Sequence, residues 1–312
     1  MSQMEGGGAE ESSEPTLISV VIASVNGLES IQECLDCLVN QEGNVRAEAV
    51  VLECCGPETR EALARRFFQP FIRVIPVEGR PSIPALRAMG MAQARGRIVA
   101  IIEDHCMAHP RWLQVIARAH AAGHRAVGGP VENGSVVRSV DWAVFFCEYA
   151  RFMLPVPHGI VAEIPGNNSA FDRRVLDALG PELQEEVWEA FLHQKMREAG
   201  VEFHSDPEMI VYHKKHFGFG YFLSQRYHYS RSFAGMRMIG APLWKRLGYA
   251  GATTLLPGIL LVRITSIVAR KGRHWKQYLL SLPSLCSFLV IWAVGEGVGA
   301  VLGPGRSLQR VE

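Results

Sequence analysis

Residues 97–102 read as a strand, Arg97 followed by five apolar residues, that stops at Glu103-Asp104-His105-Cys106. Two adjacent carboxylates and an imidazole at a strand's carboxyl end suit a divalent cation that in turn holds a pyrophosphate. Mg2+ and Mn2+ take one or two carboxylates together with phosphate oxygens, and Mn2+ also accepts imidazole. The same carboxylates could instead cap the helix opened by Pro110-Arg111-Trp112-Leu113.

The elements that would position such a cluster are legible around it. Ile18-Ser19-Val20-Val21-Ile22-Ala23-Ser24 is a β-branched run of the kind buried on both faces of a sheet. After Asn26-Gly27, Ile31, Leu35 and Leu38 recur at helical spacing. Residues 47–52 form a second strand closed by Gly56-Pro57, and a helix over 58–68 leads to a third strand over 72–77. A helix near 84–94 is capped by Gly96 and runs into the fourth strand. Short strands alternating with helices of about a dozen residues predict an α/β fold with a mostly parallel sheet flanked by helices.

Ligands of such sheets bind beyond the carboxyl ends of the strands. That singles out Ser24 and Asn26, Glu53 and Glu58, residues 77–81, and the Glu103-Asp104-His105 cluster. No G-x-G-x-x-G follows the first strand and no G-x-x-x-x-G-K-S/T occurs, which argues against a dinucleotide fold and a P-loop.

Composition narrows the field further. The 312 residues are 48% hydrophobic with net charge +1, too apolar and too neutral for a disordered chain or a broad basic nucleic-acid surface, so no nucleic-acid partner is expected. Residues 1–15 hold four glutamates and no Lys or Arg, which predicts a disordered acidic tail and leaves +5 on the remainder. Seven cysteines argue for reduced thiols in a cytosolic compartment. Cys34-x-x-Cys37 has no second pair or His partners and does not read as a zinc site.

Residues 249–269 and 277–303 carry one charge each, Arg263 and Glu296, and each is long enough to cross about 30 Å of hydrocarbon. Residues 241–312 are therefore expected to be hydrophobic, membrane-associated helices behind a catalytic domain over 16–240. The short basic linker Arg270-Lys271-Gly272-Arg273-His274-Trp275-Lys276 favours the cytoplasmic side, as do the flanking Lys245, Arg246, Arg306 and Arg310. A simple hairpin cannot satisfy both, whereas re-entrant or interfacial helices can.

The sequence resembles the family 2 glycosyltransferases of GT-A fold over about residues 16–235. The resemblance rests on five pieces in the family's order. They are the opening strand through Asn26, the acidic strand end, Pro110-Arg111-Trp112-Leu113, then Pro165-Gly166-Asn167-Asn168-Ser169-Ala170-Phe171, and lastly Ala199-Gly200 through Tyr212-His213. It implies an inverting transfer from a nucleotide-diphosphate sugar to a saccharide or other acceptor hydroxyl, with Mg2+ or Mn2+ and a cytoplasmic catalytic domain; only the hydrophobic C-terminal segment points to a lipid-linked or membrane-proximal acceptor. By that likeness Glu53 and Glu58 approach the nucleoside, Glu103, Asp104 and His105 form the metal and diphosphate site, and Asn167 and Asn168 line the donor sugar. His105 departs from the family's acidic residue, leaving Asp104 as the expected anionic ligand; His213 is a further metal or diphosphate ligand. The catalytic base falls on Glu189, with Glu185 and Glu186 as rivals. Gln225-Arg226-Tyr227-His228 stands where processive members carry Q-x-x-R-W, so processivity is not expected. The departures keep open a catalytically weak, membrane-bound binding or scaffold subunit. A nucleotidyltransferase would want a basic Gly-rich loop after the first strand, which is absent.

Overall fold

The computed structural model describes residues 18–67, 71–79, 81–180 and 188–311. The expected acidic tail and the candidates Glu185 and Glu186 lie outside them. The first half alternates as the periodicity predicts: β1 (Ile18–Ser24), α1 (Leu28–Val39), β2 (Ala47–Glu53), α2 (Pro57–Arg66), β3 (Ile72–Pro76), α3 (Ile83–Gln93) and β4 (Ile98–Ile102). Then come β5 (Cys106–Ala108), α4 (Trp112–Ala121), β6 (Ala126–Gly128), β7 (Val131–Asn133), α5 (Ser139–Tyr149), β8 (Gly159–Val161), β9 (Asn168–Asp172) and α6 (Arg173–Leu179). The chain ends with α7 (Glu189–Glu198), β10 (Phe203–Ser205), β11 (Val211–His213), α8 (Phe219–Arg237), α9 (Leu243–Ala252), α10 (Leu256–Lys271) and α11 (Trp275–Leu302).

Eight strands form one sheet in the order β3-β2-β1-β4-β9-β6-β10-β8. The β3-β2-β1-β4 half is parallel, and β9 runs antiparallel between β4 and β6. Alternation along β1 explains the layering. Val20 and Ile22 pack under Ile31, Leu35, Trp112 and Ile116, while Val21 faces Leu86, Met91 and Ile101 on the other side. Each fully buried aliphatic side chain of this kind contributes about 1.5–3 kcal/mol.

A second sheet, β5-β11-β7, stands beyond the carboxyl end of β4. Its antiparallel register pairs His213 with Cys106, next to the acidic strand end. A third apolar cluster joins Trp142, Phe145 and Phe146 of α5 to Phe222 of α8 and to Tyr278, Leu285 and Phe288 of α11. The C-terminal helices thus share a core with the sheet domain's own helix α5.

Candidate functional site

The β4 strand end and the small sheet bring Glu103, His105 and His213 together, with one ligand-type atom from each within 4.8 Å of the others. The two imidazoles face one another through their Nε2 atoms at 2.9 Å although 108 residues separate them in sequence. Glu103 Oε2 is 3.5 Å from His105 Nε2. His105 Nδ1 lies 2.9 Å from Asp104 Oδ1, so an Nδ1–H tautomer donating to Asp104 leaves the Nε2 lone pair toward His213. Burial, then the neighbouring His105 and Lys215, hold the His213 pKa well below the usual imidazole value, so that ring is neutral.

Asp104, expected as the anionic ligand, is turned away from this cluster. Its carboxylate accepts hydrogen bonds from the Val25 and Asn26 amides at 2.8 Å, from Asn26 Nδ2 at 2.7 Å and from His105 Nδ1. Burial alone would raise its pKa, but the His105 and Asn26 bonds outweigh that and hold it below the ordinary carboxylate value. Asp104 therefore ties the β1–α1 loop to the strand end and orients the His105 ring, while Glu103 faces the two imidazoles.

Other sequence candidates divide the same way. Asn26 spends its amide on Asp104 and accepts from Lys215 Nζ. Ser24 is buried at the end of β1, its hydroxyl without a hydrogen-bond partner. Glu53 is 1% exposed; Oε1 takes the Cys55 and Gly56 amides and Oε2 lies 3.2 Å from Arg60. Glu58 is exposed on the first turn of α2, where helix dipole and solvent account for it. Asn167 donates to Glu103 Oε2 and to the Tyr149 hydroxyl, both at 3.1 Å, and its Oδ1 is buried without a partner. Asn168 instead braces the core: Oδ1 accepts from Trp112 Nε1 at 2.8 Å and Nδ2 donates to the Pro130 and Met209 carbonyls.

Glu189 opens α7 and packs so close to Gly166 that a Cβ there would sit 2.7 Å from its Cγ. A larger residue at 166 would therefore push the Glu189 carboxylate out of its present place. Arg87 of α3, 5% exposed, joins the two halves of the site: Nη2 donates to Glu103 Oε1 at 3.0 Å, and Nη1 pairs with Glu189 Oε1. Sequence reasoning missed Arg87; the available signal was a lone cation between Leu86 and the small residues Ala88 and Gly90. It also missed Glu148, and with it the partner of Arg226. Burial raises the Glu148 pKa, and Arg226 Nη1 reaches Glu148 Oε1 at 3.5 Å with its guanidinium 4.2 Å from the ring centres of both Tyr229 and Trp292.

The donor set fits a divalent cation: a carboxylate, two imidazoles with facing nitrogens, and a buried, partnerless amide oxygen beside them. Two nitrogen ligands suit Mn2+ and other first-row transition ions better than Mg2+.

Comparison with known proteins places the whole arrangement. The model of the family described as glycosyl transferase family 2 matches residues 19–180, more than half of the chain. The chain belongs to glycosyl transferase family 2. It is 30% identical over 121 residues to the succinoglycan biosynthesis protein ExoO of Rhizobium meliloti, covering 38% of this chain and 34% of that protein. It is 27% identical over 119 residues to the glycosyltransferase AglE of Haloferax volcanii, covering 37% of this chain and 39% of that protein. The match thus spans little more than a third of these curated relatives. Among solved structures it resembles the mannosyltransferase PcManGT of Pyrobaculum calidifontis, in complex with GDP-Man and Mn2+, with a TM-score of 0.54 at 16% identity over 91% of this chain and 88% of that one. Residues 1–349 of S. aureus TarS superpose with a TM-score of 0.51 at 12% identity over 90% of each chain. These likenesses establish the GT-A-type fold.

Proposed function

We propose that this family 2 chain transfers a sugar, with inversion, from a nucleotide-diphosphate donor to a hydroxyl of a lipid-linked or membrane-proximal acceptor. The observation that carries the reading is the convergence of Glu103, His105 and His213 beyond the carboxyl end of β4, with Glu189 joined to it through Arg87. Glu103, His105 and His213 would hold the cation, with Mn2+ favoured over Mg2+ by the two imidazoles. The bound cation would neutralise charge on the donor's diphosphate as the nucleotide leaves. The solved PcManGT complex, with GDP-Man and Mn2+, supports that donor class and cation.

The chain's own residues supply the rest. Asp104 fixes the His105 ring and the β1–α1 loop against which the nucleotide would lie. Glu189 is the base: as the ion-pair partner of Arg87 it is a carboxylate, the state that can take the acceptor hydroxyl's proton. Gly166 and Asn167 line the space between Glu189 and the cation cluster, where a donor sugar would sit. Two apolar segments, Leu243–Lys271 and Trp275–Leu302, support membrane association, and the basic linker from Arg270 to Lys276 favours a cytoplasmic position for the sheet domain to which it is bound.

Nucleotide release from UDP-, GDP- and dTDP-sugars, with Mn2+ or Mg2+, tests this in nanodiscs. Wild type should turn over faster with Mn2+, and both Glu103→Gln and Glu189→Gln should lose about 100-fold or more. Mn2+ titration by paramagnetic resonance should show weaker binding in Glu103→Gln and His213→Ala and unchanged binding in Glu189→Gln. Nucleotide binding without turnover across a broad acceptor panel would replace the reading with a binding subunit.

A further inference from the structure

The apolar C-terminal segments, α9 with α10 (Leu243–Lys271) and α11 (Trp275–Leu302), span 29 and 28 residues and contain 18-residue stretches of mean hydropathy 1.7 and 2.0, values that by themselves read as a hairpin crossing a bilayer. Their packing is incompatible with crossing. At the hairpin turn, Lys271 Nζ binds the carbonyls of Arg151, Met153 and Pro155, and Arg273 Nη1 reaches Glu132 Oε1 at 2.9 Å. The turn is thus fastened to the sheet domain, beside β7 and the segment after α5.

Midway along α11, Phe288 packs on Phe222 of α8 at 4.5 Å between ring centres, and Trp292 stacks on Arg226. Near its end, Gly295 and Gly299 let α11 touch the α8 backbone at Tyr227 and Arg231. Arg231 Nε then donates to the Gly303 carbonyl at 3.3 Å and Gln225 Nε2 to that of Arg310 at 3.2 Å. From Phe288 to Gly299 the contacts pair rising numbers with rising numbers, so α8 and α11 run side by side in the same direction, and the chain beyond α11 turns back to Gln225.

Helix α8 is itself seated on the sheet domain. Trp188 Nε1 donates to Ser232 Oγ at 3.0 Å, Phe191 stacks on Phe233 at 5.1 Å, and Arg226 reaches Glu148. A helix of 28 residues is about 42 Å long, and α11 is tied to the sheet domain at the turn before it and lies along its second half on α8, which the sheet domain seats. A spanning hairpin needs its turn about 30 Å of hydrocarbon away from the cytosolic domain. Carrying α8 into the hydrocarbon as well would immerse Arg226, Arg231 and Arg237.

We infer that α9, α10 and α11 form a monotopic anchor that rests on one anionic leaflet, with the hairpin turn on the same side as the sheet. This rests on the membrane reading above and decides its geometry. The lipid-facing surface is the outer face, where Leu243, Trp244, Leu247, Leu255, Ile259 and Val262 are each more than half exposed. Charge names the occupant. Between Leu243 and Val311 nine Lys and Arg stand against one acid, Glu296, which is buried and bonded to Tyr249 and Trp292. Six of the nine, Lys245, Arg263, Arg270, Lys276, Arg306 and Arg310, are exposed, while Lys271 and Arg273 are taken up by the sheet domain and Arg246 by carbonyls at the end of α11; an apolar face on so cationic a segment matches an interfacial helix on acidic phospholipid.

The test is labelling of the full chain in sealed vesicles with the sheet domain outward, using a membrane-impermeant maleimide and a Cys286→Ser background. Lys276→Cys, one turn past the hairpin, is compared with Arg65→Cys, an exposed α2 position. Both should label before detergent is added, at rates within about tenfold of each other, and flotation should be stronger with phosphatidylglycerol vesicles than with phosphatidylcholine vesicles. Labelling of Lys276→Cys only after permeabilisation, with Arg65→Cys labelled before, would overturn the inference in favour of a spanning hairpin. Failure to float, with a dimer in solution that Trp244→Glu dissociates, would overturn it in favour of a self-association face. Neither readout depends on turnover, so an inactive protein that labels as expected would count against the transferase reading alone.

Discussion

Arg87 offers the sharpest test of how the two halves of the site cooperate. It holds Glu103 and Glu189 at once, and the side chains of those carboxylates are 25% and 23% exposed. Removing one partner from a fully buried ion pair costs about 3–5 kcal/mol. Water that reaches a quarter of each carboxylate brings the cost of freeing Glu189 to about 2 kcal/mol. If that free energy is what keeps the base in place, Arg87→Met should lower kcat about 30-fold. Arg87→Lys keeps the charge but has no second arm for the other carboxylate, so it should recover roughly half of the lost free energy, a loss of about fivefold. The assay is steady-state nucleotide release in nanodiscs, with thermal unfolding run alongside to confirm that each variant is folded. A folded Arg87→Met within about twofold of wild-type kcat, beside an inactive Glu189→Gln, would refute the reasoning, because the base would then need no ion pair to position it.

Two further expectations follow from packing and charge. In α11, a Cβ on Gly299 would overlap the Arg231 carbonyl oxygen, whereas one on Gly258 of α10 meets nothing within 4 Å. Gly299→Ala should therefore destabilise by about 1–2 kcal/mol after its helix-propensity gain, and Gly258→Ala should stabilise by up to about 1 kcal/mol, at about 2–4 °C of Tm per kcal/mol; equal Tm shifts for the two would refute the close α8–α11 contact. Asp172 caps α6, and the Arg174 side chain against it, opposed only in part by burial, lowers its pKa to about 2. A depressed carboxylate pKa adds stability above the unfolded value, so Asp172→Asn should cost about 2 kcal/mol at neutral pH. Denaturant titrations should show that difference shrinking from about pH 4 down to about pH 2, and a difference independent of pH would sink the assignment.

Local periodicity made the first half of the fold readable. β1, β2 and β4 are buried on both faces, so they read as nearly unbroken apolar runs, the edge strand β3 less so, and the helices between them, α1 most plainly, show one apolar stripe. The acidic strand end and the His105 beside it were legible for the same reason: residues that follow a parallel strand face the ligand side. The sequence put His105 and His213 forward as ligands of one site but did not show that their Nε2 atoms would face each other, because that contact depends on the β5–β11 register between segments about a hundred residues apart. Nor does residue type show that Asp104 would spend its oxygens on backbone amides while the neighbouring Glu103 faces the imidazoles. That is settled by the direction in which each side chain leaves the strand end and by where the β1–α1 loop passes. Asn167 and Asn168 separate likewise, adjacent in sequence but turned to opposite sides, one to Glu103 and the other to the core.

The C-terminal helices show the same division. Hydropathy along the sequence singled out residues 249–269 and 277–303 as two segments long and apolar enough to cross a bilayer. It is blind to what those residues touch. Only the tertiary structure shows both ends of α11 fastened to the sheet domain and to α8, because close helix contact at Gly295 and Gly299 and the carbonyl bonds of Lys271 are made between segments far apart along the chain. Residue types determined which chemistry and which solvent this protein can use; packing decided which atoms meet and along which surface.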